Sequence, residues 1–285
     1  MKINKILVPV DYSEFSDQAV EYAIQLGVKF GAAIEIVHVI TLFQDDTNQE
    51  EWLSNYEDRV LKLVQRLKNG PENLPEISSE LLRGTTAGDR ILEYLAAKPF
   101  DLVVMGTHGR SGVRHMLYGS VAERVVRLSS VPVLTVHHSV KRFKLRNILV
   151  PIDFSEYSKR AVSYVAEFNK SFETPVTFLH VIEQSLHPAF YAGNFESLFE
   201  IDPKLKERAK AHMREFVGEI PFPAHFKIVE GRPHEEIVKF ARDAQMDLIL
   251  MATRGLSGFE NILLGSTTER VVRYADCPVL SVARD

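Results

Sequence analysis

The sequence predicts an α/β protein: two tandem doubly wound domains, each a five-stranded parallel sheet of order 3-2-1-4-5 with helices on both faces. The first observation is a repeat. Ile6-Leu7-Val8-Pro9-Val10-Asp11-Tyr12-Ser13-Glu14-Phe15-Ser16 returns as Ile148-Leu149-Val150-Pro151-Ile152-Asp153-Phe154-Ser155-Glu156-Tyr157-Ser158, an interval of 142 from position 11 to position 153. The second is a glycine block, Gly106-Thr107-His108-Gly109 with Gly119-Ser120 after nine more residues. It returns as Ala252-Thr253-Arg254-Gly255 with Gly265-Ser266 after nine more. The third is alternation: in each copy strand-like and helix-like runs succeed one another, the pattern of a parallel sheet covered on both faces. A period of about half of 285 residues is a whole domain of common size, far beyond a solenoid repeat. The expected domains are residues 1–140 and 144–285.

In the first copy, Lys5–Val10 is a short β-branched strand ending at a proline and an aspartate. Ser16–Lys29 places Ala19, Val20, Ala23, Ile24 and Leu26 at helical spacing. Ala33–Ile40 is a second buried strand. Glu50–Lys68 reads as a long amphipathic helix closed by Asn69-Gly70-Pro71. Ile77–Arg83 alternates like a strand, Asp89–Lys98 reads as a helix, and Asp101–Thr107 is a continuous apolar strand. A helix over Ser120–Leu128 and a strand over Val133–His137 complete the unit.

The second copy repeats that order. Its strands are expected over Ile148–Ile152, Val176–Ile182, Phe226–Glu230, Leu248–Thr253 and Val279–Ala283. Its helices are expected near Ser158–Ser171, Pro203–Glu219, His234–Ala244 and Thr267–Tyr274, with Asp202-Pro203 as an N-cap and first helical position. The segment Glu183–Ile201 is a long connection carrying Phe190, Tyr191, Phe195 and Phe199, suited to a lid, a partner surface or packing over the interface between domains.

Composition narrows the function. A net charge of −4 gives no basic field, which argues against nucleic acid as a partner. No apolar run approaches the roughly 20 residues that span a bilayer, so no membrane partner is expected. A strand begins within a few residues of the start, leaving no room for a signal peptide. The single cysteine, Cys277, fits a reducing compartment. A cytoplasmic protein is the expectation.

In a doubly wound sheet of this order, ligands bind beyond the carboxyl ends of the first and fourth strands, where the winding reverses. The two best-repeated blocks meet there. Glycines permit close backbone approach, and a helix start offers free N–H groups and a positive dipole end suited to phosphate. Ser120 and Ser266 add either hydroxyl donors or N-caps. No Gly-Lys-Ser/Thr run marks a Walker A loop, and Pro-Val-Asp after the first strand replaces a dinucleotide fingerprint.

These motifs, with His38-Val39-Ile40 and His180-Val181-Ile182, Gly84 and Gly231, and the closing Val131-Pro132-Val133-Leu134 and Cys277-Pro278-Val279-Leu280, resemble the universal stress proteins. The likeness runs through both halves and implies the same five-stranded fold. A branch of that family with the long glycine motif binds ATP. The resemblance therefore implies adenine nucleotide as partner, and ATP, with Mg as the divalent cation, as cofactor. It assigns Pro9, Val10 and Asp11 to adenine and ribose, and Val39 to the adenine. Met105, Gly106, His108, Gly109 and Arg110 fall to ribose and phosphates, and Gly119, Ser120, Val121 and Ala122 to the phosphate tail. Pro151, Ile152, Asp153 and Val181 match in the second copy, followed by Met251, Ala252, Arg254 and Gly255, then Gly265, Ser266, Thr267 and Thr268. Ala252 departs from the pattern, standing where the first glycine is expected; it weakens the second site if the position needs positive φ or sub-methyl clearance.

Other residues read as structural. His38 and His180 end apolar strands as hydrogen-bonded core histidines, His137-His138 opens a solvated linker, and Cys277 is inert core. Asp11-Ser13-Glu14 and Asp153-Ser155-Glu156 read as helix capping, with acid–base chemistry as the rarer alternative. The functional expectation is a stress-response protein that binds nucleotide and regulates. Its rivals are a slow ATPase or phosphotransferase using Asp11 or His108, and a scaffold whose glycines are structural relics. The closing edges Val133–Val136 and Val279–Val282 lack protecting charges and are expected to pair within the chain, with homodimerisation through other faces left open.

Overall fold

The computed structural model describes residues 2–41, 58, 74–107, 119–137, 145–183, 197–253 and 265–282. Contacts divide the chain into two compact units, Met1–Phe143 and Lys144–Val282. The expected helix over Glu50–Lys68 and the aromatic stretch before residue 197 fall outside the described residues, apart from Asp58. Among the described residues no helix is long and apolar enough to cross a membrane.

The first unit runs β1 (Lys5–Val10), α1 (Glu14–Phe30), β2 (Ala33–Thr41), β3 (Ile77–Gly84), α2 (Ala87–Ala97), β4 (Leu102–Gly106), α3 (Ser120–Leu128) and β5 (Val133–Val136). Its sheet has the order β3-β2-β1-β4-β5, parallel throughout. The apolar run of β1 is buried from Ile6 to Val10 because sheet neighbours and helices cover it on all sides. Helix α1 turns Ala19, Val20, Ala23, Ile24 and Leu26 inward, all at most 1% exposed. Each such large aliphatic side chain stabilises the fold by about 1.5–3 kcal/mol. Ser13 caps α1 by accepting from Ser16 N at 3.3 Å, and Gly31, at φ 68°, ends it in the left-handed region.

The second unit runs β6 (Ile148–Pro151), α4 (Glu156–Phe168), a 3₁₀ turn (Asn169–Ser171), β7 (Val176–Glu183), α5 (Leu198–Ile201), α6 (Leu205–Val217), β8 (Ala224–Gly231), α7 (Pro233–Asp243), β9 (Leu248–Ala252), α8 (Ser266–Tyr274) and β10 (Val279–Val282). Its strands are parallel in the order β10-β9-β6-β7-β8, the same 3-2-1-4-5 winding. Asp202-Pro203 does not open the long helix. Asp202 instead closes α5, its N–H donating to Leu198 O at 3.0 Å, and its carboxylate then accepts from Lys204 N at 3.0 Å, so α6 begins at Leu205. The outer strands β3 and β8 are half exposed, unlike the apolar inner strands, because each has a sheet neighbour on one edge only.

One buried charge cluster sits at the amino end of the first sheet. Glu35 on β2, with its side chain 6% exposed, accepts from Lys5 Nζ at 2.5 Å, from Lys98 Nζ at 3.0 Å and from the Tyr94 hydroxyl. Burial pushes its carboxyl up. The hydrogen bonds from Lys5, Tyr94 and Lys98, with the charge of Lys5, outweigh that and hold it at about 2. The second unit carries Asn147 and Thr177 at these positions and has no such cluster there.

Candidate functional site

The site begins where β1 and β6 stop. Tyr12 at φ 67° and Phe154 at φ 62° occupy the left-handed region, which costs a bulky side chain about 1–3 kcal/mol. Ring packing holds them there: Tyr12 lies 4.3 Å from the His38 ring and Phe154 lies 4.5 Å from the His180 ring. Each histidine is itself fixed, with Nδ1 at 2.8 Å from Val10 O and 2.7 Å from Ile152 O. A carbonyl only accepts, so Nδ1 carries the proton and donates. Burial pushes His180 below its usual value, against the hydrogen bond to Ile152 and the charge of Asp153. Both histidines are hydrogen-bonded as expected, but they are half-buried and line the crevices instead of the core; the same contacts turn the chain sharply after the aspartate.

That turn presents Asp11 and Asp153 at the strand ends. Asp11 Oδ1 accepts from Ser13 N at 3.1 Å and Ser13 Oγ at 2.6 Å; Asp153 Oδ1 accepts from Ser155 N at 3.0 Å, Ser155 Oγ at 2.6 Å and the Ser158 hydroxyl. Ser13 and Ser155 in turn cap α1 and α4. The clusters are therefore built as capping turns, as their spacing suggests.

Opposite them, a backbone hydrogen bond closes each glycine loop at its ends. Gly119 N donates to Thr107 O at 2.8 Å, and Gly265 N donates to Thr253 O at 2.8 Å. This sets the starts of α3 and α8 against the ends of β4 and β9. Gly119 and Gly265 are the N-caps and neither helix start has a side-chain cap, so Ser120 and Ser266 are first helical residues and not caps. The first-turn N–H groups thus meet no side-chain oxygen at the cap, the arrangement that receives anions. Thr268 is 3% exposed and donates its hydroxyl to Ala252 O at 2.9 Å, tying α8 to β9; it has no hydroxyl proton to spare for a ligand.

The first crevice gathers Pro9, Val10, Asp11, Val39, Met105, Gly106, Gly119, Ser120, Val121 and Ala122. The second gathers Pro151, Ile152, Asp153, Val181, Met251, Ala252, Gly265, Ser266, Thr267 and Thr268. His108, Gly109, Arg110, Arg254 and Gly255 lie outside the described residues. The sequence reading missed His38 and, on α2, Ala87 and Ile91 in the first crevice, and His180, Glu183, Arg232, Pro233, His234, Ile237 and Arg270 in the second. For those on α2 and α7 the signal was available in the register of the helices that follow β3 and β8, but those starts differ between the copies; Arg270 lies on α8 at the place of Arg124 on α3. His137 is a correction: it is buried at the end of β5 and not part of a solvated linker. Val136 O accepts from Thr107 N at 3.2 Å, so the pairing of β4 with β5 runs to the last residue before His137.

The question left by Ala252 has a geometric answer. Gly106 does not have positive φ, but a Cβ there would lie 2.8 Å from Phe15 Cβ and 3.0 Å from the Phe15 backbone carbon and oxygen. The first unit needs the glycine for clearance. In the second unit Ala252 sits buried at 9% exposure as the last residue of β9.

Two parallel α/β units of flavodoxin-like winding, each with a strand-end crevice and an uncapped helix start, define the class. A profile of the universal stress protein family matches residues 2–137 and again residues 144–283. The chain is 34% identical over 140 residues to universal stress protein MJ0531 of Methanocaldococcus jannaschii, a match covering 49% of this chain and 82% of the relative. It is 22% identical over 308 residues to universal stress protein Slr1230 of Synechocystis, covering 98% of this chain and 99% of the relative. The crystal structure of a universal stress protein from Archaeoglobus fulgidus superposes with a TM-score of 0.68 at 26% identity, over 100% of both chains. The chain belongs to the universal stress protein family, with the family unit present twice.

Proposed function

We propose that each unit binds an adenine nucleotide, with ATP and a divalent cation such as Mg as the full ligand, and that the protein acts as a nucleotide-responsive regulator in a stress response and not as a turnover enzyme. The observation that carries this reading is the pair of uncapped helix starts, Gly119–Ala122 and Gly265–Thr268, each facing a strand-end aspartate across a largely apolar crevice. Val39, Met105 and Pro9 offer apolar walls to a flat base, and Asp11 offers an acceptor to ribose hydroxyls. The helix start offers N–H groups to the phosphates. His108, Gly109 and Arg110, with Arg254 and Gly255, complete the tail sites in this reading. The regulatory role is supported by Asp11 and Asp153, whose Oδ1 atoms serve capping turns.

Isothermal titration of the purified protein with ATP and ADP tests the claim. Saturable binding is expected, and no heat with either nucleotide, together with none co-purifying, would sink it. The two units, 1–140 and 144–285, are proposed to pair through the uncharged edges Val133–Val136 and Val279–Val282, making one chain equivalent to a dimer of single-unit relatives. Sedimentation of a charge-bearing variant, Thr135→Lys with Ser281→Lys, tests this. An unchanged compact sedimentation profile would count against the pairing.

A further inference from the structure

The two crevices differ at one corner. In the first unit Thr86 caps α2, its hydroxyl accepting from Asp89 N at 3.3 Å. Asp89 also accepts from Arg124 Nε of α3 at 2.6 Å, so the cation at this corner is neutralised. The α2 residues that reach the crevice are the uncharged Ala87 and Ile91.

In the second unit the cap position is Arg232, and α7 starts at Pro233 without a side-chain cap. Glu235 holds the place of Asp89, three residues past the cap, but it accepts from Arg232 Nη1 on its own helix at 3.3 Å. Arg270, the fifth residue of α8 as Arg124 is of α3, therefore has no carboxylate partner among the described residues. It lines the crevice together with Arg232 and His234. Burial holds His234 below its usual value, and the charges of Arg270 and Arg232 push the same way against the pull of Glu235. Glu183, at the end of β7, also lines this crevice. Two guanidinium groups and an imidazole thus line one crevice, which Asp153 and Glu183 also line, beside an uncapped helix start. Arginine forks match phosphate oxygens in pairs, and the helix start adds N–H donors.

We propose that Arg232, His234 and Arg270 form a second anion subsite particular to the second unit. The ligand of that unit is then a nucleotide bearing a further phosphate on its ribose, besides the 5′ tail received at Gly265–Thr268. The inference rests on the nucleotide reading above.

The test titrates AMP, adenosine 2′,5′-bisphosphate and adenosine 3′,5′-bisphosphate into the full chain carrying Gly119→Leu, which obstructs the first crevice. The same titrations follow with Arg270→Ala or Arg270→Lys added, and thermal melting verifies that each variant is folded. One bisphosphate is expected to bind on the order of tenfold or more tighter than AMP, as charge-assisted hydrogen bonds imply. The preference should fall to about twofold or less in Arg270→Ala and survive only in part in Arg270→Lys, which keeps the charge but loses the fork. Bisphosphates that bind no tighter than AMP overturn the subsite while leaving the nucleotide reading intact. A preference that persists when both Arg232 and Arg270 are alanine overturns its assignment to these residues. Failure of AMP, ADP and ATP alike to bind the unmodified chain refutes the nucleotide reading and the subsite with it.

Discussion

Replacing Gly106 by alanine should damage the first unit although the second unit carries alanine at the matching place. The added methyl would stand 2.8 Å from Phe15 Cβ and 3.0 Å from the Phe15 carbonyl carbon and oxygen. Carbon contacts are comfortable at about 3.5–4.0 Å, so backbone has to retreat by roughly half an ångström or more. Phe15 is the second residue of α1, two residues past the Ser13 cap that is tied to Asp11. Relief therefore moves either the start of α1 or the end of β4, and both form the crevice. Overpacking of this kind costs about 1–3 kcal/mol. Urea titration followed by circular dichroism should register that loss, with faster hydrogen exchange localised to residues 13–20. Nucleotide binding at the first crevice should weaken in parallel. The reciprocal Ala252→Gly removes one buried methyl, and about 1 kcal/mol at most is expected. A Gly106→Ala protein within about 0.5 kcal/mol of the parent, with unchanged exchange over α1, would refute the clearance argument.

Other perturbations have equally definite outcomes. Glu35 is held at about 2 against an ordinary value of 4.5, so its contribution to stability is full above pH 4.5 and is lost as pH falls toward 2. That difference corresponds to about 3 kcal/mol at neutral pH and roughly half as much at pH 3, so the stability gap between the parent and Glu35→Gln should narrow accordingly in urea titrations at the two pH values. A gap independent of pH would show that the cluster is not what holds the carboxylate. Burial pushes the Cys277 thiol up to about 12, so a thiol reagent at pH 8 should leave it untouched in the native protein and modify it once urea has unfolded the chain. Rapid native-state labelling would contradict that. A bulky residue at Gly119 obstructs the first crevice and not the second, so nucleotide stoichiometry should fall from two to one; a stoichiometry that stays at two would contradict the placement of the site.

The fold was legible because the rules that fix it are local and repeated. Alternating apolar strands and amphipathic helices leave few ways to wind a parallel sheet, and the observed order in each unit is the expected one. The capping turns at Ser13 and Ser155 were readable from spacing alone. The misreadings have separate causes, one local and the others between elements distant in sequence. Asp202-Pro203 looks like a helix opening, but α5 directly before it claims the aspartate as its own closing residue. His137 reads as linker until the backbone of Thr107 is found bonded to Val136 beside it. The cationic corner escaped because comparing two copies selects what they share. Arg232-Pro233-His234 against Thr86-Ala87-Gly88 is a difference, and a difference reveals chemistry only when α7 and α8 are seen to meet over one crevice.

The central claim is that both units hold adenine nucleotide between a strand-end aspartate and an uncapped helix start. Native mass spectrometry of the purified chain with added MgATP tests it most directly, since it counts bound ligands on the intact protein. The account predicts species carrying one and then two nucleotides, with Gly119→Leu limiting the chain to one. A spectrum showing only the bare chain at saturating nucleotide would contradict it.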